Sequence, residues 1–383
     1  MLISRYIRIR CLLIFKIIVM EKTIKAYKGF DENLCCGNFQ YEVGKEYFQE
    51  GEIVCRKNGF HACANPLDVL MYYEADYGSR FCIVEQSGVI SSNPGDSQQA
   101  SSKIRIIAEI GIAGLFKAAV ELLKEETDPI PIIKETKYKK GGESEDNALI
   151  GSSRGEDLIC SRGHNVEIGS SGDCAFIGSS GGFVQIGSIG SCAQIASSGN
   201  YAVIGSNGNC AQIGSSGEYA HIGSNGDYAH IGSCGSRDLI LSSGLNAFIG
   251  SSGSNAHIGS SGNCAQISSC GDDARIGVSG DDAQIGSSGD CAFISSSGDF
   301  AHISSSGSCA QVESTGEHSV VCCAGYGSIA KAKKGSWITL AEWKYLDEKG
   351  ITMPVCVKTE YVDGERIKED TWYKMADGEF VEV

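Results

Sequence analysis

The chain has 383 residues and a formal net charge of −15, and it holds 50 glycines but only 5 prolines. So much glycine without matching proline, and without a Gly-X-Y period, excludes a collagen-like rod and indicates a backbone that turns often. Residues 147–321 contain 15 acidic residues and 4 arginines, a net charge of −11. An acidic surface of this kind argues against direct binding to nucleic acid or to an anionic membrane.

Residues 1–19 combine arginines with an apolar stretch, as a signal peptide does. Lys16 interrupts that stretch, and Glu21-Lys22 stand where a signal peptide would have small residues. The stretch is also shorter than a bilayer requires. We therefore expect residues 1–19 to be a spurious or disordered extension, with translation starting at Met20.

Residues 20–126 are predicted to form a small α+β domain. Asn65 and Pro66 are typical of a helix start, with Asn as the cap and Pro in the first turn. A second, amphipathic helix is predicted over residues 112–126, and residues 127–146 read as a linker. Strand character is found at 25–29, 39–47, 81–85 and 103–111.

Residues 147–321 form an unbroken nine-residue repeat. Isoleucine recurs every nine residues from Ile150 to Ile303, and Val312 and Val321 continue the column. A small residue, mostly alanine, stands two positions before it, so strand alternation places both on one face. One unit buries too little to fold alone, and stacked units bury a continuous column, which predicts a β-solenoid. The predicted core includes Ile177, Ile186, Ile204, Ile213, Ile222, Ile231, Ile249, Ile258 and Ile285.

The length of one coil follows from side chains that recur at fixed spacings. In the column three residues before isoleucine, identical residues are more frequent at a spacing of 18 than at 27. We therefore predict 18 residues and two short strands per coil. Glycine, four residues after each isoleucine, is expected to supply the positive φ of the corner. Asp157 and Asp238 replace the inward alanine, where we expect local irregularities.

Residues 322–383 are predicted to form a β-meander that caps the last coil, since a bare coil is an unpaired strand edge. Asp363-Gly364 and Asp377-Gly378 are typical of hairpin turns. They separate predicted strands at 353–361, 366–374 and 380–383. The fold class is therefore mainly β, with a solenoid between a small α+β domain and a β cap.

Several end segments resemble those of a known family. They are Lys25 to Phe30, Gly59 to Cys63 running into Asn65 to Val69, Gly335 to Trp337 with Trp343, and Asp370 to Tyr373. Together they resemble an uncharacterised protein family of phages, prophages and gut bacteria, with a Gly/Ser-rich repeat array between the same two end domains. The resemblance implies this architecture and a phage-linked setting, and it supplies no catalytic residues.

Two parts of the sequence contain possible metal ligands. Cys35, Cys36, Cys55, His61 and Cys63 are zinc-type ligands, but their spacing differs from that of structural zinc sites. Calcium-binding nonapeptide repeats carry a Gly-Gly-x-Gly-x-Asp pattern, whereas a single variable polar residue follows the glycine here. We therefore predict no metal and no cofactor.

One alternative to a purely structural role is that the N-terminal domain is an enzyme. The order Tyr27-Lys28-Gly29, Gly59-Phe60-His61 and Tyr72-Tyr73 is similar to the order of elements in ADP-ribosyltransferase-like folds. No downstream catalytic glutamate can be assigned, so no catalytic residue is predicted.

The chain has 18 cysteines, six of which share one repeat column with Tyr, Phe, Asn and Asp. A position that exchanges cysteine for tyrosine is not a disulfide framework. This indicates reduced thiols and a cytoplasmic location.

The leading hypothesis is a non-enzymatic interaction protein without a membrane role, in which the solenoid is a rigid spacer or a display surface for a protein or glycan. The first alternative is an acidic solenoid that mimics DNA. The candidate interaction surface comprises His221, His230, His257, His302, Gln194, Gln212, Phe176, Phe248 and Phe293.

Overall fold

The computed structural model describes residues 23–37, 39–73, 79–92, 97–126, 146–347 and 350–383. The chain divides into two compact units, the first ending at Gly111 and the second running from Ile112 to the C-terminus. The expectation for residues 1–19 lies outside the described residues, as does the predicted linker except for its last residue.

The first unit is a five-stranded antiparallel sheet with the strand order β4-β7-β5-β1-β6. Strands β6 and β7 also pair with each other, so that β7, β5, β1 and β6 form a closed ring. The strands are β1 Ile24–Phe30, β2 Cys35–Cys36, β3 Phe39–Gln40, β4 Glu46–Phe48, β5 Phe60–Cys63, β6 Arg80–Ser92 and β7 Gln98–Glu109. Strands β2 and β3 form a separate hairpin.

The predicted helix start after Asn65 forms one short 3₁₀ helix, Leu67–Met71. The cap is Pro66, one residue later than predicted, and the Asn65 side chain accepts a hydrogen bond from the Leu67 N–H at 3.0 Å. The strand β5 was not predicted, because its four residues carry no alternating pattern.

The helix α1, Gly111–Glu126, was predicted to belong to the N-terminal domain, but apart from its first residue it belongs to the second unit. Leu115, Phe116 and Ala119 are buried. The Phe116 ring lies over Gly277, where a Cβ atom would come within 2.3 Å of it. Its apolar face is therefore buried against the solenoid.

The solenoid has about 11 turns of roughly 18 residues, which confirms the predicted coil. Each turn contributes one strand to each of two parallel sheets, and residues 18 apart pair in register, as Ile204 does with Ile222. The even sheet contains β8 Leu149–Ser152, β10 Glu167–Ser170, β12 Gln185–Ser188, β14 Val203–Ser206, β16 His221–Ser224, β18 Leu239–Ser242, β20 His257–Ser260, β22 Arg275–Val278, β24 Phe293–Ser296, β26 Gln311–Ser314 and β28 Ile329–Ala332. The odd sheet contains β9 Leu158–Ser161, β11 Phe176–Ser179, β13 Gln194–Ser197, β15 Gln212–Ser215, β17 His230–Ser233, β19 Phe248–Ser251, β21 Gln266–Ser269, β23 Gln284–Ser287, β25 His302–Ser305 and β27 Val320–Cys323.

The two sheets enclose one core of isoleucine and alanine. The nine isoleucines named from the sequence are 0–3% exposed. Each isoleucine contributes about 1.5–3 kcal/mol by leaving water. The stability of the core is therefore the sum of many similar small contributions along the rod. The coils also continue past the predicted end at Val321, because β28 still pairs in parallel with β26.

The corner glycines act differently from our expectation of a positive φ. Positive φ is found two residues later, for example at Cys210 with φ 57°. The glycine is required because a Cβ atom at Gly208 would lie 1.9 Å from the carbonyl oxygen of Gly190, one coil earlier. Backbones of successive coils therefore approach at each corner too closely for any side chain.

A matched pair of variants tests this close approach. Gly226→Ala would place a Cβ atom 2.0 Å from the Gly208 oxygen, so it should destabilise the solenoid by at least about 2 kcal/mol. Gly232→Ala lies in a strand with nothing within 4 Å of the added atom, so it should be neutral or slightly stabilising. Denaturant midpoints of the two variants measure the difference, and equal midpoints would contradict the close approach.

The expected irregularity at Asp238 is wrong, because β18 pairs in register with both neighbouring strands. The Asp238 side chain is fully buried and accepts a hydrogen bond from the Ala220 N–H at 2.7 Å and another from the Ser233 hydroxyl. At Asp157 the Ser152 hydroxyl donates in the same way. Burial nevertheless raises the pKa of Asp238 above its ordinary value, since these bonds offset only part of the desolvation.

The raised pKa of Asp238 predicts a pH-dependent stability. The folded chain favours the protonated carboxyl, so the cost of the charged form is absent below the unfolded pKa and grows as the pH rises through the folded pKa. The difference in unfolding free energy between Asp238→Ala and the parent should therefore shift in favour of the variant as the pH rises from 3 to 7, measured by denaturant unfolding.

Asp363 provides a control of opposite sign. The N–H groups of Glu365, Ile367 and Arg366 lower its pKa, so its stabilisation is present above the unfolded pKa and lost as the pH falls. Asp363→Ala should therefore lose stability relative to the parent as the pH rises. The same pH trend in both variants would contradict the assignment.

The C-terminal segment caps the solenoid with one hairpin on each sheet, where we expected a single meander. Strand β29, Trp337–Leu346, pairs in parallel with β27 and antiparallel with β30, Ile351–Tyr361. On the other sheet, β31, Tyr373–Ala376, pairs with β28 and with β32, Glu379–Glu382. The strand predicted over 366–374 is thus mostly wrong.

Candidate functional site

The outer face of the odd sheet forms a long open groove of about 1370 Å³. Each strand of this sheet points two residues outward, one before and one after its buried isoleucine. We call the first column the ridge: Phe176, Gln194, Gln212, His230, Phe248, Gln266, Gln284 and His302. We call the second column the furrow: Gly178, Ala196, Gly214, Gly232, Gly250, Ser268, Gly286 and Ser304.

The ridge has a regular composition. Along successive coils it reads Phe-Gln-Gln-His twice, so the pattern repeats every four coils. The corresponding column of the even sheet, Gln185, Val203, His221, Leu239, His257, Arg275, Phe293 and Gln311, shows no such period. The ridge and the furrow contain no Asp, Glu, Lys or Arg, although the chain has a net charge of −15.

The nine predicted surface residues lie on two opposite sheets and do not share one surface. Six belong to the ridge, where all are exposed. His221, His257 and Phe293 belong to the even sheet, and Phe293 is only 5% exposed. The division follows from the coil, because adjacent repeat units point in opposite directions.

His257 lies beneath α1. Its ring meets the edge of Phe116 at a centroid distance of 6.4 Å. Burial, with the charge of Arg275 adding to it, lowers the pKa of His257 to about 3, so this side chain is neutral at physiological pH. His257 is therefore a packing residue beneath α1 and not an exposed contact residue.

The polar groups of the ridge are directed to the outside. Within the described part of the chain, no hydrogen bond joins the amides of Gln194, Gln212, Gln266 and Gln284 to the protein. The rings of His230 and Phe248 contact each other in a tilted arrangement, with centroids 4.7 Å apart. Each free amide offers two N–H donors and one acceptor, so the ridge presents repeated planar hydrogen-bonding groups between aromatic rings.

The candidate surface named from the sequence omitted Gln266, Gln284 and the entire furrow. The signal was present, because separating the repeat units into alternate sets of 18 residues shows the Phe-Gln-Gln-His period directly.

Most acidic residues of the solenoid lie at the corners, and several of them support the backbone. The Asp272 carboxylate accepts the Asp290 N–H of the next coil at 2.9 Å, and the Asp281 carboxylate accepts the Asp299 N–H at 2.9 Å. Asp272 follows an odd strand and Asp281 an even strand, so the two stand on opposite edges. Many acidic side chains of the solenoid therefore accept a backbone N–H group of the next coil at a corner.

The first unit contains a second cluster of reactive side chains. The Lys28 ammonium donates to the His61 carbonyl at 2.9 Å and lies 3.3 Å from the Cys36 sulfur. The Tyr73 hydroxyl donates to the same sulfur at 2.8 Å, and burial raises its pKa above the ordinary value. The Tyr73 ring also covers Gly29, where a Cβ atom would lie 2.4 Å from it. A cation and a hydroxyl thus contact one thiol, and the three motifs compared with ADP-ribosyltransferases are brought together.

The candidate zinc ligands have other partners. The Cys55 thiol faces the Gln98 carbonyl oxygen at 3.3 Å, and the His61 Nε2 atom accepts the Arg56 N–H at 2.9 Å. Over the described ranges, no three His, Cys, Asp or Glu side chains are grouped so that they could hold a metal ion. The seventeen cysteines in those ranges all carry free thiols.

Residues 24–118 match a protein family described as a domain of unknown function (DUF7666). The match covers the first unit and the start of α1, and it leaves the solenoid outside. No curated protein and no solved structure matches the chain. None of the helices in the described residues has the length and apolar character needed to cross a membrane.

Proposed function

We propose that the chain is a non-enzymatic interaction protein whose solenoid displays the ridge and the furrow to a partner. The observation that carries the proposal is the contrast between the two faces. The even sheet packs against α1, with Phe116 seated in its column of small residues. Within the described residues, the odd sheet has an equivalent column of small residues, is open along its length and carries side chains that repeat every four coils.

The resemblance of the end segments supports a phage or prophage origin, and the exposed cysteines support a reducing cytoplasm. Nine of the described cysteines are exposed, including the column members Cys174, Cys192 and Cys210. Exposed thiols stacked one coil apart would be oxidised readily outside a reducing compartment.

Thiol counting tests the location. Denatured, freshly purified protein should return most of its 18 cysteines as free thiols. Oxidised column cysteines in native material would contradict the cytoplasmic assignment.

Mimicry of DNA is the weaker reading. DNA carries one charge per about 1.7 Å, or roughly 28 charges over about 48 Å, against a net charge of −11 for residues 147–321. Asp272 and Asp281 stand on opposite edges and are engaged in backbone caps. The acidic side chains therefore do not form a continuous row of negative charge like that of a nucleic-acid backbone.

A variant that fills the furrow tests the proposed display role. Gly232→Leu adds a side chain where nothing lies within 4 Å, and Gly187→Leu does the same on the even sheet. Each protein is immobilised and exposed to a cell extract and, separately, to its protein, glycan and nucleic-acid fractions. We expect a component that the parent and Gly187→Leu retain and Gly232→Leu loses.

Identical retention by all three proteins, or no retention, would contradict the proposal. Salt-sensitive capture of a polymerase, topoisomerase or nuclease, lost when Asp272, Asp273, Asp281 and Asp282 are changed to Asn, would favour mimicry instead.

A further inference from the structure

We propose that the ridge and the furrow bind an extended, uncharged polysaccharide that lies along the solenoid axis. The proposal deepens the display role and rests on it, because it names the ligand of the same face. Three observations carry it: the absence of charge, the translational period, and the pairing of rings with free amides.

The absence of charge selects against charged polymers. Twenty outward positions, from Leu158 to Val320 in one column and from Cys160 to Cys322 in the other, hold no Asp, Glu, Lys or Arg. The even sheet is not kept neutral, since it presents Glu167, Arg275 and Glu313. A charged polymer gains no ion pair on the odd face, and a polyanion is repelled by the acidic corners.

The period selects a ligand with translational symmetry. The two Phe-Gln-Gln-His quartets are related by four coils, or about 19 Å at about 4.8 Å per strand. A polymer of identical units meets both quartets in the same way, whereas a folded partner has no reason to repeat its surface at this spacing. Binding at two linked quartets also raises the overall affinity without any new kind of contact.

The side-chain chemistry fits a sugar. The apolar face of a pyranose ring packs on an exposed aromatic ring, and Phe176 and Phe248 are 43% and 37% exposed. Hydroxyl groups both donate and accept hydrogen bonds, as the free amides of Gln194, Gln212, Gln266 and Gln284 do. The imidazoles of His230 and His302 complete the two quartets with further donors and acceptors.

The furrow has room for a six-membered ring. On the even sheet, Phe116 is seated over Gly259 and Gly277, so the chain itself shows a ring filling such a column. On the odd sheet, Gly214, Gly232 and Gly250 have nothing within 4 Å of an added Cβ atom. A sugar ring can therefore lie against the backbone while its neighbours contact the ridge.

Native affinity electrophoresis tests the proposal with the full chain. The gels contain hydroxyethylcellulose, laminarin, glucomannan or dextran as neutral polymers, and polygalacturonate or dextran sulfate as anionic ones. We expect at least one neutral polymer to retard the parent and neither anionic polymer to do so. Phe176→Ala and Phe248→Ala should each weaken binding by about ten-fold, and Gly232→Leu should abolish the retardation.

Two controls separate the face from the rest of the rod. Gly187→Leu fills the even sheet, and Phe183→Asn removes an exposed corner ring that stacks on Tyr201 at 4.9 Å. Both should bind as the parent does. Affinity for oligosaccharides should also rise sharply once they are long enough to reach both quartets, and Phe248→Ala should remove that rise.

No retardation by any neutral polymer, or equal retardation of the parent and Gly232→Leu, would overturn the proposal. If Gly232→Leu instead loses a captured protein while no neutral polymer retards the parent, the display role stands and the polysaccharide assignment falls. Stronger retardation by an anionic polymer would also overturn it.

Discussion

The contact on which the rest of the structure depends is the approach of one coil's backbone to the next at every corner. A Cβ atom at Gly226 would lie 2.0 Å from the Gly208 oxygen, so the spacing tolerates only glycine. Because this glycine recurs every nine residues, each coil closes after two units and the isoleucines stack in register. Register then fixes which side chains point outward together, and a slip of one unit would exchange the two faces.

The same closure makes the two faces of the rod independent of each other. Adjacent units point in opposite directions, so one face can pack against α1 while the other keeps a different set of side chains. His257 lies under Phe116 with a pKa lowered to about 3. His230, three units away along the chain, is exposed and contacts the Phe248 ring at a tilt. Identical residues in one sequence column thus acquire a packing role on one sheet and an external role on the other.

The repeat, its inward isoleucines and the 18-residue coil were predictable because each depends on local periodicity. The reason for the corner glycine was not, since it comes from the carbonyl of a residue 18 positions earlier. Asp238 was misread for a similar cause: its partner, the Ala220 N–H, lies one coil away. The site was half predictable. The ridge residues stood in a visible column, but choosing among them required the coil length to be applied to that column.

The distribution of charge connects the fold to the proposed ligand. Corner aspartates such as Asp272 and Asp290 accept N–H groups of the next coil, so acidity is useful where the backbone leaves donors unpaired. The strands have no such requirement, since their N–H groups pair within the sheets. Backbone chemistry therefore places the negative charge at the edges and leaves the outer strand positions free to vary. On the even sheet they vary without order, and on the odd sheet they stay neutral and periodic, which folding alone does not demand.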